Sequence, residues 1–129
     1  MEAVVLIGIQ ASGKTTFYQQ RFFATHVRIS LDLLRTRERE SALVETCLRT
    51  QQRFVVDNTN VTAAERARYI LPARAAGFRV IGYFFAPAAA KRSEGFDELH
   101  RVWIARPGEF SLEAWEPAAR AMDIPPSLP

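Results

Sequence analysis

Lys14 and Thr15 end the stretch GIQASGKT, residues 8–15, in which Gly8 and Gly13 frame four intervening residues. That spacing matches G-x-x-x-x-G-K-[ST], and the chemistry explains it. Glycines at those two positions let the backbone curl so that successive N–H groups point inward at an anion. A helix opening at its end adds free amides and positive potential. The Lys14 ammonium would reach the β- and γ-phosphates and the Thr15 hydroxyl would ligate Mg²⁺. The candidate phosphate-binding residues are therefore Gly8, Gln10, Ala11, Ser12, Gly13, Lys14, Thr15 and Thr16. The ligand so described is a nucleoside triphosphate, ATP or GTP, with Mg²⁺. A plain Gly-rich turn beside a helix is the alternative, and the apolar strand before the motif argues against it. What receives the phosphate is not written in this stretch.

Two further segments could supply that answer. In HVRISLDLLRTR, residues 26–37, Asp32 and Arg35 stand three apart, a spacing that shares one helix face. A carboxylate there can take the proton of an attacking hydroxyl, and a guanidinium one turn on can grip a neighbouring phosphate. Equally, Asp32 can cap a helix and Arg35 can make a surface ion pair. In FVVDNTN, residues 54–60, Asp57 follows an apolar run and is the expected Mg²⁺ partner of Thr15, directly or through water. Asn58 and Asn60 either fix that loop or touch substrate.

The elements that must position these groups follow from periodicity. Ala3 to Ile7 is a continuous apolar run, as a parallel strand buried on both faces requires. The spacing predicts a helix from Thr15 to about Phe23, a strand over His26–Ile29, and a helix from Asp32 to about Arg49 that breaks near Ser41. A strand at Phe54–Val56 precedes a capping box, Thr62 to Glu65, that opens another helix. Pro72 is expected to kink or end that helix, and Gly77 to stop it. Strands follow at Phe78–Phe85 and Arg101–Ile104, then a Pro107–Gly108 turn and an edge strand over Phe110–Trp115. Strands alternating with helices give an α/β fold with a parallel sheet of about five strands and helices on both faces. Ligands bind such sheets beyond the strands' carboxyl ends, where each motif above falls.

Composition bounds the class. At 129 residues the chain is one domain, with 48% hydrophobic and 24% charged residues, ordinary for a globular protein. A net charge of +3, carried by Arg in all but two of the basic positions, leans mildly toward anionic partners. The single Cys47, set among Leu43, Val44 and Leu48, reads as a buried thiol and fits a reducing compartment, the cytoplasm. The start carries Glu2 and an apolar run halted at Gly8, unlike a secretory leader, and no stretch is long enough to span a membrane.

Taken together, GIQASGKTTF, LDLLR and VVDNTNVTAAERARYI resemble the kinase module of the phage-type polynucleotide kinases and their bacterial relatives. The likeness runs from about Ala3 to Phe85 and resumes at EGFDEL, residues 94–99, through Trp115. It implies a P-loop NTPase fold that transfers the γ-phosphate of ATP to a 5′-hydroxyl end of DNA or RNA. It further implies Lys14, Asp32 and Arg35 as catalytic residues, with Asp32 the general base and Arg35 the contact to the acceptor's neighbouring phosphate. Thr15 and Asp57 become the metal residues. One departure is plain. Family members carry a helical lid holding an arginine over the triphosphate, whereas FFAPAAAKRSEGFDEL leaves a stub at 86–93, in which Lys91 or Arg92 could partly stand in. The expected layout is a P-loop kinase domain over 1–116 and a C-terminal tail over 117–129, the tail with at most one short helix. Nucleotide binding is expected to persist and transfer to weaken. A kinase for a small-molecule hydroxyl, and a nucleotide-binding module with little transfer, are the alternatives.

Overall fold

β1 (Glu2–Ile7) has no residue from Ala3 to Ile7 exposed to solvent, and its two faces feed two separate cores. Ala3, Val5 and Ile7 point to one core, where Val44, Cys47, Tyr69, Ile70 and Ala73 cover them. Val4 and Leu6 point to the other, under Phe17, Tyr18 and Phe22. This double burial explains why the strand is apolar without alternation.

The protein is described here by a computed structural model covering residues 1–115, so the tail expected at 117–129 lies outside the described residues. Along the chain follow α1 (Lys14–Arg21), β2 (Val27–Ile29), α2 (Leu31–Leu34), α3 (Arg37–Thr50), β3 (Phe54–Asp57), α4 (Ala63–Ala75), β4 (Arg79–Phe85), β5 (Glu98–Arg106) and β6 (Glu109–Ala114). The six strands form one sheet in the order β2-β3-β1-β4-β5-β6. The first five are parallel and β6 returns antiparallel on β5. The expected fold class holds, with the edge strand as sixth member. The register sets Leu6 beside Asp57, so the ends of β1 and β3 open at one level. No helix among the described residues is long and apolar enough to cross a membrane.

Three element boundaries differ from expectation. The long second helix breaks at Arg35–Thr36, not near Ser41. Arg35 takes φ 79, and Thr36 starts a new helix by accepting from the Arg39 N–H at 3.1 Å. Glu38 and Glu40 in that first turn favour the positive end of the helix. α4 runs through Pro72 to Ala75, and Ala76 N–H bonds to the Pro72 carbonyl at 3.0 Å, closing its end. β5 begins at Glu98 rather than Arg101, because Asp97 accepts from the Val80 N–H at 2.7 Å and aligns the strand early.

Between β4 and β5 no helical lid is built, only a 3₁₀ turn at Arg92–Glu94. That turn is anchored. The Arg66 guanidinium grips Glu94 at 2.7 and 3.0 Å and donates to the Asn60 carbonyl at 2.9 Å. Burial alone would raise the Glu94 carboxyl, but Arg66 and the Lys91 amide outweigh it and hold it below its ordinary 4.5. A carboxyl lowered on folding adds stability above its unfolded value and loses it as pH falls through the folded one. Urea unfolding at neutral and acidic pH should therefore show an acid-side loss that Glu94→Gln reduces.

Gly82 tests the packing under β4. A Cβ there would lie 2.6 Å from Phe96 Cε1 and 2.8 Å from Leu99 Cδ1. Gly82→Val should cost about 1–3 kcal/mol through overpacking, seen as a lower urea midpoint at unchanged slope.

Candidate active site

The loop leaving β1 is built by its two glycines. A Cβ on Gly8 would sit 2.9 Å from Ser12 Oγ and 3.0 Å from Phe85 Cβ, and the Gly8 N–H donates to the Thr59 carbonyl at 2.9 Å. Gly13 takes φ 99, a left-handed conformation, with Phe110 Cε1 only 3.1 Å from where a Cβ would stand. The β5–β6 hairpin thus backs the loop, and Gln20 Nε2 fastens its turn by donating to the Gly108 carbonyl at 2.7 Å.

Lys14 is buried, and its ammonium folds back on the loop to donate to the carbonyls of Gly8 at 2.7 Å and Ile9 at 3.0 Å. Burial lowers its pKa from the ordinary lysine value, against the opposing pull of Asp57 and Asp32. No side chain caps α1 and no acid stands in its first turn. Its leading amides therefore keep their hydrogen-bonding capacity and their positive potential. Ser12 Oγ is buried beside them with no hydrogen-bond partner among the described residues. An unsatisfied hydroxyl and uncapped amides around one curl of backbone fit an oxyanion such as a phosphate.

Asp57, 6% exposed, closes the floor of the site. Its Oδ2 accepts from the Thr15 hydroxyl at 3.0 Å and from Arg28 Nε at 2.9 Å. The residues present are one hydroxyl and one carboxylate, and no cluster of three or more His, Cys, Asp or Glu exists among the described residues. That donor set suits Mg²⁺, which keeps waters and substrate oxygens and needs few protein ligands.

These groups share a cleft of about 470 Å³. Gln10, Ala11, Gly13, Lys14, Thr15 and Thr16 line it on the loop side, and Asp32, Asp57 and Asn58 line it opposite. Gly8 and Ser12 support the loop from within rather than lining the cleft. Arg28, Leu31, Arg37, Thr59 and Glu65, none of them expected at the site from the motifs, line it too.

Three expected placements are corrected. Asp32 and Arg35 do not share a helix face, because α2 is a single turn that ends at Leu34. Arg35 is exposed with φ 79 and does not line the cleft. Asn60 is 2% exposed and donates to the Leu6 carbonyl at 2.9 Å, so it fixes the loop and offers nothing to a substrate. Lys91 and Arg92 do not reach the cleft, and Arg92 Nη2 donates instead to the Asp97 carbonyl at 3.0 Å.

Asn58 lines the cleft, yet its amide is used within the protein. Its Oδ1 accepts from the Leu31 N–H at 2.9 Å, and its Nδ2 donates to Glu40 Oε2 at 2.7 Å and the Tyr69 hydroxyl at 3.1 Å. Through the first bond it holds the start of α2 and so the position of Asp32. Glu40, 1% exposed, also accepts from the Tyr69 hydroxyl at 2.7 Å and Arg37 Nη1 at 2.9 Å. Burial, then the Glu40 carboxylate, pushes the Tyr69 hydroxyl up to about 12. Tyr69→Phe leaves Glu40, Asn58 and Arg37 each short of a partner. It should cost about 1–3 kcal/mol, measured by urea denaturation.

Comparison with known proteins bears on the fold and the family. The structure is similar to that of a cysteine-to-alanine mutant of the Mycobacterium tuberculosis APS kinase CysC, with TM-score 0.54 and 16% sequence identity, over 81% of this chain and 87% of that one. At that identity the likeness is one of fold. A family described as an AAA domain matches residues 30–95, from the end of β2 through the anchored 3₁₀ turn, and so takes in Asp32, the α3–α4 network and the loop after β3. Just over half of the 129 residues fall in that match, and the chain belongs to this family of AAA domains, AAA_33.

Proposed function

We propose that the chain is an ATP-binding phosphotransferase that moves the γ-phosphate to a hydroxyl acceptor, with the 5′-hydroxyl of a polynucleotide as the leading acceptor. The observation that carries the reading is the placement of Asp32 in one cleft with Lys14 and the Thr15–Asp57 pair. A triphosphate on the loop would accept from the α1 amides, and Lys14 would turn from its carbonyl partners to the phosphates. Thr15, and Asp57 through water, would hold Mg²⁺, which would supply charge neutralisation on the transferring group. Asp32 takes the acceptor's proton as its oxygen forms the new P–O bond and the P–O bond to the leaving diphosphate breaks. With only the 3₁₀ turn where the polynucleotide kinases that the sequence resembles carry a lid, no described residue roofs the cleft against water or adds a cation there, so transfer is slow while binding persists. Transfer to a small-molecule hydroxyl is the second reading, drawn from the fold shared with an APS kinase.

Incubation with Mg²⁺ and γ-labelled ATP or GTP, offering a 5′-hydroxyl oligonucleotide, nucleosides and water, tests this. Lys14→Met should lose nucleotide binding. Asp32→Asn should keep binding and lose transfer by about 10²–10⁴-fold. Label that reaches an acceptor undiminished in Asp32→Asn sinks the base assignment. Turnover in the ordinary kinase range of about 1–100 s⁻¹ would overturn the weakened-transfer reading.

A further inference from the structure

Arg28 lies on β2, the outer strand of the sheet, and the register sets it beside Val55, two residues before Asp57 on β3. Residues two apart on a strand share a face, so Arg28 and Asp57 point the same way, and Arg28 Nε donates to Asp57 Oδ2 at 2.9 Å. The Asp57 side chain is 3% exposed and that of Arg28 28% exposed. A carboxylate so buried needs a counter-charge. Among the described residues Arg28 is the one cation bonded to it. The same carboxylate, with the Thr15 hydroxyl, is the donor set that suits Mg²⁺. Its Oδ2 already accepts from both Thr15 and Arg28, which uses the two lone pairs of that oxygen.

The charges that line the cleft balance as they stand. Lys14, Arg28 and Arg37 face Asp32, Asp57 and Glu65. A bare divalent ion at Asp57 would lie beside the Arg28 guanidinium, where low polarisability makes like charges repel strongly. Arg28 stands on an edge strand with part of its side chain in water, so it can release Asp57 to a stronger cation. A nucleotide alters the balance, because its phosphates bring negative charge along with the metal.

We infer that Arg28 is the built-in counter-cation of Asp57 and competes with a divalent ion for it, so that the free protein takes up no Mg²⁺ and the metal enters together with the nucleotide's phosphates. The inference rests on the reading of Thr15 and Asp57 as metal residues, and goes beyond it in assigning to Arg28 the control of when the metal binds. Arg28 acts through Asp57, as a positioning residue.

Thermal unfolding of the nucleotide-free protein in EDTA and in excess MgCl₂, with ionic strength matched by NaCl, tests this. The wild-type Tm should be the same in both. Arg28→Gln should lower the Tm in EDTA by about 5–15 °C, because Asp57 is left buried without a counter-charge, and MgCl₂ should restore most of that loss. The double variant Arg28→Gln, Asp57→Asn should ignore MgCl₂ and exceed Arg28→Gln in stability in EDTA. Were Arg28 only a packing residue, Mg²⁺ would not restore the loss and Asp57→Asn would not relieve it; either result overturns the inference. A wild type stabilised by MgCl₂ as much as Arg28→Gln overturns it too. If Arg28→Gln does not fold in EDTA, MgCl₂ should recover it and the double variant should fold without metal, and failure of both counts against the exchange. Wild-type protein should bind ADP more tightly in MgCl₂ than in EDTA, and equal affinity in the two overturns the entry of metal with phosphates. ADP that binds in neither strikes the phosphotransfer reading instead, and is read on a titration separate from the unfolding curves.

Discussion

The Glu40 carboxylate is 1% exposed, and a charge so placed must be matched inside the protein. Three donors match it: the Tyr69 hydroxyl, Arg37 Nη1 and Asn58 Nδ2. They come from α4, from the start of α3 itself and from the loop after β3. Satisfying one carboxylate therefore ties three segments together, and Asn58 carries the tie to a fourth through the Leu31 amide. The wall of the cleft that faces the phosphate loop is positioned by this requirement. A buried pair of this kind is costly to break because the remaining charge is left without water or partner. That cost holds α2 at a fixed place although it is one turn long and buries no residue of its own.

How much of this was legible depends on whether a conformation leaves a residue signature. The phosphate loop was legible because its backbone admits no Cβ at Gly8 and a left-handed residue at Gly13. The central strands were legible because burial on both faces demands apolar runs. Asp57 stood out by contrast, an acid at the end of such a run. The break at Arg35 left no mark, because an arginine at φ 79 looks in sequence like any helical arginine. Thr36 followed by Glu38 and Glu40 carried the signal of a helix start, and the D-x-x-R spacing obscured it by suggesting that the helix ran on. The Glu40–Tyr69 pair lies 29 residues apart, and nothing local in either segment announces the other. Asn58 and Asn60 were readable as substrate contacts or loop fasteners, and the fold uses the amides of both internally.

The stub between β4 and β5 is connected to this wall by a second buried charge. Arg66, 5% exposed, spans Glu94 and the Asn60 carbonyl, so the segment between β4 and β5 is fastened to the loop after β3 that carries Asn58. The two arginines serve opposite ends. Arg66 is spent on holding backbone and a carboxylate, while Arg37 keeps a side chain that is 44% exposed. Burial separates these uses more clearly than residue type does, and explains why a count of arginines said only that the chain leans toward anions.

The sheet's borders also matter to the protein's life in concentrated solution. β2 contributes three residues, and the β5–β6 pairing slips in register between Ile104 and Arg106. An unpaired strand recruits other chains when it is long, flat and apolar. A border of three residues offers too short a template for strand addition, and an irregular one bends its free N–H and C=O groups out of line. With β1 walled in between β3 and β4, the apolar run Ala3 to Ile7 is exposed to neighbours only while the protein is being made or has come apart.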